Sequence, residues 1–331
     1  MFVLLTKRLN RRRRPNNAEA IVSRDMVMWA YRRLLDREPE SEEVILAAMR
    51  LESPVALLEA ILDSDEFQGR DATHRRQHCA LPLDVEWQIP PALAGQLLSR
   101  VTDTWERLGE ERPYWSVLSS PEYLPKNPSA GQHSFYESGV YDLRMLVATL
   151  ARIGRRPTEF PVVFEFGCGL GRVTKHLCRE FDRVIACDVS GPHLAIAQRV
   201  LSERGIANVS LVQARTEGFG MSQGFDLWFS RLVLQHNPPP LIAAILEQAL
   251  SMLRLRGVAV FQVPVYRADY RFKVDEYLKE NCRHEPFEMH ALPQPAILEI
   301  GYRANCRLLE IWEDDSTGPP WISQFFAFEK M

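Results

Sequence analysis

The chain has 331 residues, of which 46% are hydrophobic and 25% charged, and carries a net charge of −3. That length and composition suit a globular protein of about two domains, and the small net charge gives no overall pull towards nucleic acid. Its longest apolar runs fall short of the ~18–20 residues that span a bilayer.

The first 16 residues carry Lys7, Arg8 and Arg11 to Arg14 and no acid, leaving −9 over the rest. A solvated, disordered tail is one reading. Attachment to an anionic membrane face or to polyanions is the other, at about 1 kcal/mol per basic residue near a membrane surface. Met1 to Leu5 is too short for the apolar region of a signal peptide, and the cations follow it. The six cysteines show no C-x-x-C or zinc spacing, and several fall in expected core elements. A reducing cytoplasm is therefore the expected compartment, with peripheral membrane contact through the tail as an addition.

Residues 17–70 have a helical pattern. Met26, Trp29, Ala30 and Leu34 recur at helix spacing. The run from Asp36 to Glu40 breaks the pattern, Ser41-Glu42-Glu43 opens a second helix, and Ser53-Pro54 opens a third. The stretch from Tyr31 to Phe67 resembles a small helical module of unknown biochemical activity, found beside bacterial enzymes of surface-polysaccharide assembly and in calcium-rich extracellular proteins. The glycine usual after its first helix is replaced, as Glu40-Ser41-Glu42 fills the place. Residues 71–134 read as a proline-bearing linker followed by a helical lid, and residues 135–331 as the main domain.

In that domain Val162 to Phe166 is a strand-like apolar run bearing Glu165. Gly167, Gly169 and Gly171 follow at alternate positions, then a helix from Val173 to about Arg179. Arg183 to Cys187 is a second strand, ending at Asp188. Strand, glycine turn, helix, strand and acid form a nucleotide-binding βαβ unit. The G-x-G-x-G spacing differs from the dinucleotide fingerprint, and no Lys-Ser/Thr pair follows as in a P-loop. The run Glu165-Phe166-Gly167-Cys168-Gly169-Leu170-Gly171-Arg172 resembles motif I of class I S-adenosylmethionine-dependent methyltransferases. The likeness continues through strands at 208–213, 225–230, 258–263, 307–312 and 322–329, with helices at 241–253 and 295–300. It implies an α/β, Rossmann-like sheet of seven strands, mostly parallel with the seventh antiparallel, preceded by an all-α region. The implied cofactor is S-adenosylmethionine.

The resemblance places Glu165, Gly167, Cys168, Gly169, Gly171 and Arg172 around the methionine part of the cofactor. Asp188, with Val189 beside it, is placed at the ribose. Glu165 is expected to order the loop through backbone N–H groups or to meet the cofactor's amino group. Arg172, a cation poorly placed for a helix start, either has an anionic partner, the cofactor carboxylate or a neighbouring acid, or is simply solvated at the surface. Many relatives carry an acid at the end of the third strand, where Gln213 stands here. Ser230 ends the strand that passes the reacting centre. Tyr136 is either packing or a cover over the cofactor.

His236 is a candidate base, since an unperturbed imidazole titrates near neutrality, although a non-catalytic histidine is the plainer reading of it; His290, at the end of the 266–290 insertion, is its rival. Asn237-Pro238-Pro239 reads as a helix start, since the aromatic of a base-flipping motif is missing. Tyr266, Tyr270 and Arg271 are candidate acceptor contacts, with scaffold packing as the alternative. No metal cluster is evident, and Asp314-Asp315 reads as a solvated turn. The expected reaction is O-methylation of a bacterial glycan or lipid-linked glycan precursor. The alternatives are a small-molecule or lipid acceptor, or a non-catalytic interaction protein.

Overall fold

The computed structural model describes residues 22–67, 82–124, 131–215, 218–279 and 287–331. The basic tail and most of the expected linker lie outside the described residues. The chain divides into two compact units, Met1–Ala80 and Leu81–Met331.

In the first unit, α1 (Arg24–Leu34), α2 (Glu42–Ala48) and α3 (Pro54–Leu62) are each preceded by a serine. Ser23, Ser41 and Ser53 accept the backbone N–H three residues on, satisfying a donor that the first turn leaves orphaned. The left-handed turn after α1 is made by Asp36 at φ 50°. Aspartate tolerates that region better than most residues, so the turn forms without glycine. The core gathers Val22, Val27, Ala30, Leu35, Ile45, Leu57 and Ile61. This shifts the expected face of α1: Val27 and Ala30 are buried, whereas Met26 and Trp29 are 42% and 56% exposed.

The second unit begins with β1 (Asp84–Val85), α4 (Pro91–Glu111), α5 (Pro113–Val117) and α6 (Gln132–Arg152). Helix α6 spans residue 135, where the main domain was expected to begin, and α4 and α5 belong to the same compact unit. Then come β2 (Val162–Phe166), α7 (Thr174–Glu180), β3 (Arg183–Asp188), α8 (Gly191–Glu203), β4 (Val209–Gln213) and β5 (Phe225–Ser230). The chain closes with α9 (Pro239–Met252), β6 (Leu253–Tyr266), β7 (Arg271–Phe272), α10 (Val274–Lys279), α11 (Gln294–Arg303), β8 (Cys306–Asp314) and β9 (Ile322–Lys330).

Seven of these strands form one sheet in the order β4-β3-β2-β5-β6-β9-β8. All pairings from β4 across to β6 are parallel, and β9 runs antiparallel to both β6 and β8. This is the expected sheet, with its last strand inserted antiparallel. Strand β6 is longer than the expected 258–263: Arg256 turns at φ 63° inside it, where the pairing with β5 shifts register. Strands β1 and β7 make a separate two-stranded parallel pair.

Alternation along the strands fills both faces. Phe164, Ile185, Trp228, Phe261 and Phe326 point to the α9 and α11 side. Val163, Val184, Leu227, Val260 and Phe325 point to the α6 and α7 side. Among the aromatics, the Trp228 and Phe261 rings stack at 5.0 Å and those of Phe261 and Phe326 at 5.5 Å. Strand order reverses between β3 and β5 on either side of β2, and a crevice opens outside the carboxyl ends at such a switch point. The functional candidates gather there.

Candidate active site

A cleft of about 280 Å³ opens where β2, β3 and β5 end. Its floor is the glycine loop. Gly167, Gly169 and Gly171 all take positive φ, at 79°, 51° and 78°. The N–H groups of Gly167 and Cys168 both donate to the Cys187 carbonyl, at 2.8 and 3.0 Å, so the loop is pinned to β3. A Cβ on Gly167 would lie 2.2 Å from Val233 Cγ2, and one on Gly169 would lie 3.0 Å from Val117 Cγ2. Gly171 points instead at Leu201 and is not part of the cleft wall.

Asp188 closes the loop from β3. Its Oδ2 accepts the Gly169 N–H at 2.8 Å, and its Oδ1 accepts the Ser190 N–H at 2.9 Å. Two acceptor directions on the carboxylate remain for a ligand facing the cleft. Glu165 does not order the loop through these N–H groups; Asp188 takes that part. The Glu165 carboxyl accepts the Thr174 hydroxyl at 2.6 Å. Burial pushes its pKa up to about 7, against the pull of Thr174 and the Arg172 charge.

Arg172 has the neighbouring acid as its partner. Its Nη1 lies 2.7 Å from Asp142 Oδ2, inside α6. Arg231, directly after β5, donates to the other oxygen of the same carboxylate and to Ser316 Oγ at 2.5 Å. Both arginines are lining residues of the cleft, and the Nε of each is sealed from solvent with no hydrogen-bond partner among the described residues. Asp314, expected to be solvated, has a side chain only 7% exposed, 3.9 Å from Arg231. Its Oδ2 and the Thr317 hydroxyl are also buried with no partner among the described residues. A buried donor or acceptor left unpaired is costly unless a ligand or water meets it.

Several expected contacts lie elsewhere. Gln213 Nε2 donates to the Val189 carbonyl at 3.0 Å, and Ala214, Arg215 and Phe219 line the wall at that end instead. Ser230 Oγ donates to the Phe166 carbonyl at 3.0 Å, a tie between strands. Tyr136 is buried among Phe135, Leu170 and Val200, off the cleft, with the Arg204 guanidinium 4.5 Å from its ring. Cys168 and Val189 do line it. Burial raises the Cys168 thiol well above its ordinary value, so it is no nucleophile at neutral pH.

His236 lines the cleft and His290 does not. His236 Nδ1 lies 2.9 Å from the Glu288 carbonyl oxygen. A carbonyl only accepts, so Nδ1 carries the proton and Nε2 keeps the lone pair. Burial lowers the His236 pKa to about 4, so the ring is neutral at pH 7. His290 sits behind it, bonded to the Tyr270 hydroxyl at 2.9 Å and to Glu288 at 3.2 Å. Tyr266 and Tyr270 are scaffold side chains, and Arg271 pairs with Asp84 and Glu276; none of the three lines the cleft.

The opposite wall comes from helices that the sequence marked only as a lid. Leu98, Val101 and Trp105 of α4 and Ser116 and Val117 of α5 face Leu241, Ala244 and Ile245 of α9. The Trp105 ring meets the His236 ring edge-on at 5.3 Å. Ser116 Oγ lies 2.8 Å from His193 Nε2, and His193 Nδ1 lies 2.7 Å from Ser190 Oγ. This buried chain ties α5 to the start of α8. Gly109 allows it, since a Cβ there would sit 2.7 Å from His193 Nδ1. Asp142 and Arg231 were also missed. The available signals were an acid inside an apolar helix and a cation directly after a buried strand.

Comparison with known proteins bears on this cleft. Residues 163–257 match the family described as a methyltransferase domain. A tRNA/tmRNA (uracil-C(5))-methyltransferase of Photorhabdus laumondii is 31% identical over 70 residues, 21% of this chain and 19% of that protein. The chain thus matches about a fifth of that relative's length. The crystal structure of magnesium protoporphyrin IX methyltransferase from Synechocystis PCC 6803 with bound SAH is similar over 71% of this chain and 100% of its own. The TM-score there is 0.51 and the identity 15%. The same enzyme with bound SAM covers 71% of this chain and 97% of its own, at TM-score 0.48 and 16% identity. The sheet is that of the class I methyltransferase fold.

Proposed function

We propose that this chain is a methyltransferase that transfers a methyl group to a nucleophilic oxygen in the cleft. The cofactor is S-adenosylmethionine, which supplies an electrophilic methyl on a sulfonium. The observation that carries the reading is one juxtaposition: the Asp188-ordered glycine loop shares the cleft with two arginines that are held on one buried carboxylate, Asp142, and whose Nε atoms have no partner among the described residues. Asp188 would take the ribose hydroxyls, and Arg172 and Arg231 the cofactor carboxylate. Ala214, Arg215 and Phe219 would flank the adenine. The bare glycine backbone leaves room for the methionine chain.

The protein's own work is alignment and exclusion of water. Asp142 holds both guanidinium groups in one orientation, and α4 and α5 cover the loop. His236 presents a neutral Nε2 to accept the acceptor's proton, while its Nδ1–H is fixed by the Glu288 carbonyl. A ring with a pKa of about 4 is a weak base. It suits an acceptor hydroxyl that loses its proton late, as the new bond forms.

The acceptor reading starts from the likeness of residues 31–67 to a module beside polysaccharide enzymes. The apolar wall of Leu98, Val101, Trp105, Leu241 and Ile245 offers few partners for a bare glycan's hydroxyls. It favours a lipid-linked glycan precursor or another acceptor with an apolar body. The basic tail would hold the enzyme near an anionic membrane face. Among the described residues no helix is long and apolar enough to cross a membrane. The tRNA substrate of the curated relative is not carried over from so short a match.

The test is calorimetric titration with S-adenosylmethionine and S-adenosylhomocysteine, then transfer of labelled methyl to lipid and aqueous envelope fractions. Micromolar binding with label in the lipid fraction is expected. No binding by the folded wild type would overturn the reading, and label confined to water-soluble glycan would overturn the apolar acceptor.

A further inference from the structure

We propose that Glu288 is a positioning residue, fastening the cleft-covering helix α4 to the histidine that faces the reacting centre. The proposal rests on the reading of His236 as proton acceptor.

Glu288 is bonded in three directions. Its Oε1 accepts Arg100 Nη2, from the middle of α4, at 2.6 Å. Its Oε2 lies 3.2 Å from His290 Nε2, and its backbone carbonyl takes the His236 Nδ1–H at 2.9 Å. Arg100 is held in turn. Its guanidinium lies 3.9 Å from the centre of the Tyr277 ring, and its Nη1 donates to the Tyr277 carbonyl at 2.7 Å. The Tyr270 hydroxyl supports the far side of His290 at 2.9 Å. The Glu288 carboxylate is therefore ionised. Burial opposes the charge, but hydrogen bonds from His290, Tyr277 and Arg100 bring its pKa down to about 2.

The consequence is mechanical. Helix α4 brings Leu98, Val101 and Trp105 to the cleft, and Arg100 leaves the same stretch of helix towards Glu288. Moving α4 away would break the Arg100–Glu288 pair, and that pair anchors the residue whose carbonyl fixes the His236 tautomer. Covering the cleft and orienting the base are thus one event. The groups facing His236 are the Glu288 carbonyl, the ring edge of Trp105, the Phe287 ring at 5.0 Å, and the His290 charge when protonated. With the cleft covered, nothing in that set favours a charged ring except the carbonyl.

The test uses the full chain and reads His236 directly. Nitrogen-15 NMR of the imidazoles would be recorded across about pH 3–8 for wild type, Glu288→Gln, Arg100→Met and Arg100→Lys, a range that brackets both the lowered and the ordinary imidazole pKa. Hydrogen exchange along α4 would be followed with and without S-adenosylhomocysteine. Wild type should show the Nδ1–H tautomer and titrate near pH 4. Arg100→Met should mix the tautomers, move the titration at least one pH unit towards 6.5 and speed exchange across α4 at least 10-fold. Arg100→Lys, which keeps the charge, should recover part of each effect. A wild-type tautomer, titration and exchange in both Arg100→Met and Glu288→Gln would overturn the proposal. Should a variant fold poorly, Arg100→Lys alone decides, since an unchanged His236 signal with faster α4 exchange would separate the two events. Absence of S-adenosylhomocysteine binding in wild type would instead count against the cofactor reading, and would leave the tautomer result standing.

Discussion

The carboxylate of Asp188 takes the backbone N–H of Gly169 at 2.8 Å, so the tip of β3 shapes the loop that leaves β2. One side chain therefore serves both loop order and the ribose contact proposed for it. Asp188→Ala should remove two charge-assisted bonds, each worth about 1.5–3 kcal/mol, and so lower stability as well as binding. Asp188→Asn keeps one acceptor oxygen and should lose less of both. Calorimetry with S-adenosylhomocysteine and thermal melting check this; a loss of binding at least ~10-fold is expected for alanine. Unchanged binding would remove Asp188 from the site.

Two glycines with similar backbones should respond differently to alanine. Gly167 and Gly154 have φ of 79° and 74°. A Cβ at Gly154 meets nothing within 4 Å, so Gly154→Ala should cost only the left-handed backbone, about 1–2 kcal/mol. At Gly167 the same group collides with Val233, so Gly167→Ala should cost more and displace the wall beside His236. Urea unfolding of the two variants gives the comparison, and equal losses would contradict it.

Two buried groups set opposite pH limbs. The folded pKa of Glu165, about 7, lies above its ordinary 4.5. Its contribution is therefore fully present below pH 4.5 and is lost as pH rises through 7, by a total on the order of 3 kcal/mol. Glu165→Gln keeps an acceptor for Thr174 and should melt higher than wild type at pH 8.5 but not at pH 5. His236, lowered to about 4 from 6.5, acts in the other direction: stability present above pH 6.5 is lost as pH falls through 4. His236→Gln should flatten that acid limb. Melting curves at half-unit intervals would reveal either effect, and parallel curves for variant and wild type would refute it.

Deletions should separate the two units. The cleft walls of α4 and α5 belong wholly to residues 81–331. A chain lacking residues 1–80 should bind S-adenosylhomocysteine as the full chain does. One lacking residues 1–130 also loses Leu98, Trp105 and Val117 and should bind at least ~10-fold more weakly. Equal binding by both would show that the helical wall adds nothing to cofactor affinity.

The sheet and the loop were legible because their signals are local. Apolar runs of strand length, glycines at alternate positions and an acid at a strand tip occupy consecutive residues, and backbone sterics fix what they can form. Strands 162–166, 183–188 and 225–230 accordingly stand within a residue of their expected bounds. The first helix was harder, since Met26-Val27-Met28-Trp29-Ala30 is apolar throughout and only packing against α2 and α3 selects the buried face.

The side-chain partners were decided only by tertiary structure. Asp142 meets Arg172 and Arg231 across 30 and 89 residues of chain, and Arg100 meets Glu288 across 188. Periodicity carries no information about such pairs, because a charge inside a helix looks the same whether it faces water or another charge. The same limit explains Tyr136 and His290, plausible by position yet packed behind the cleft, and Trp105, one aromatic among several in the expected lid yet set against His236. The sequence by itself determined the class of fold and the glycine loop. The tertiary structure decided which helices cover that loop, which histidine faces it and which arginines share the Asp142 carboxylate.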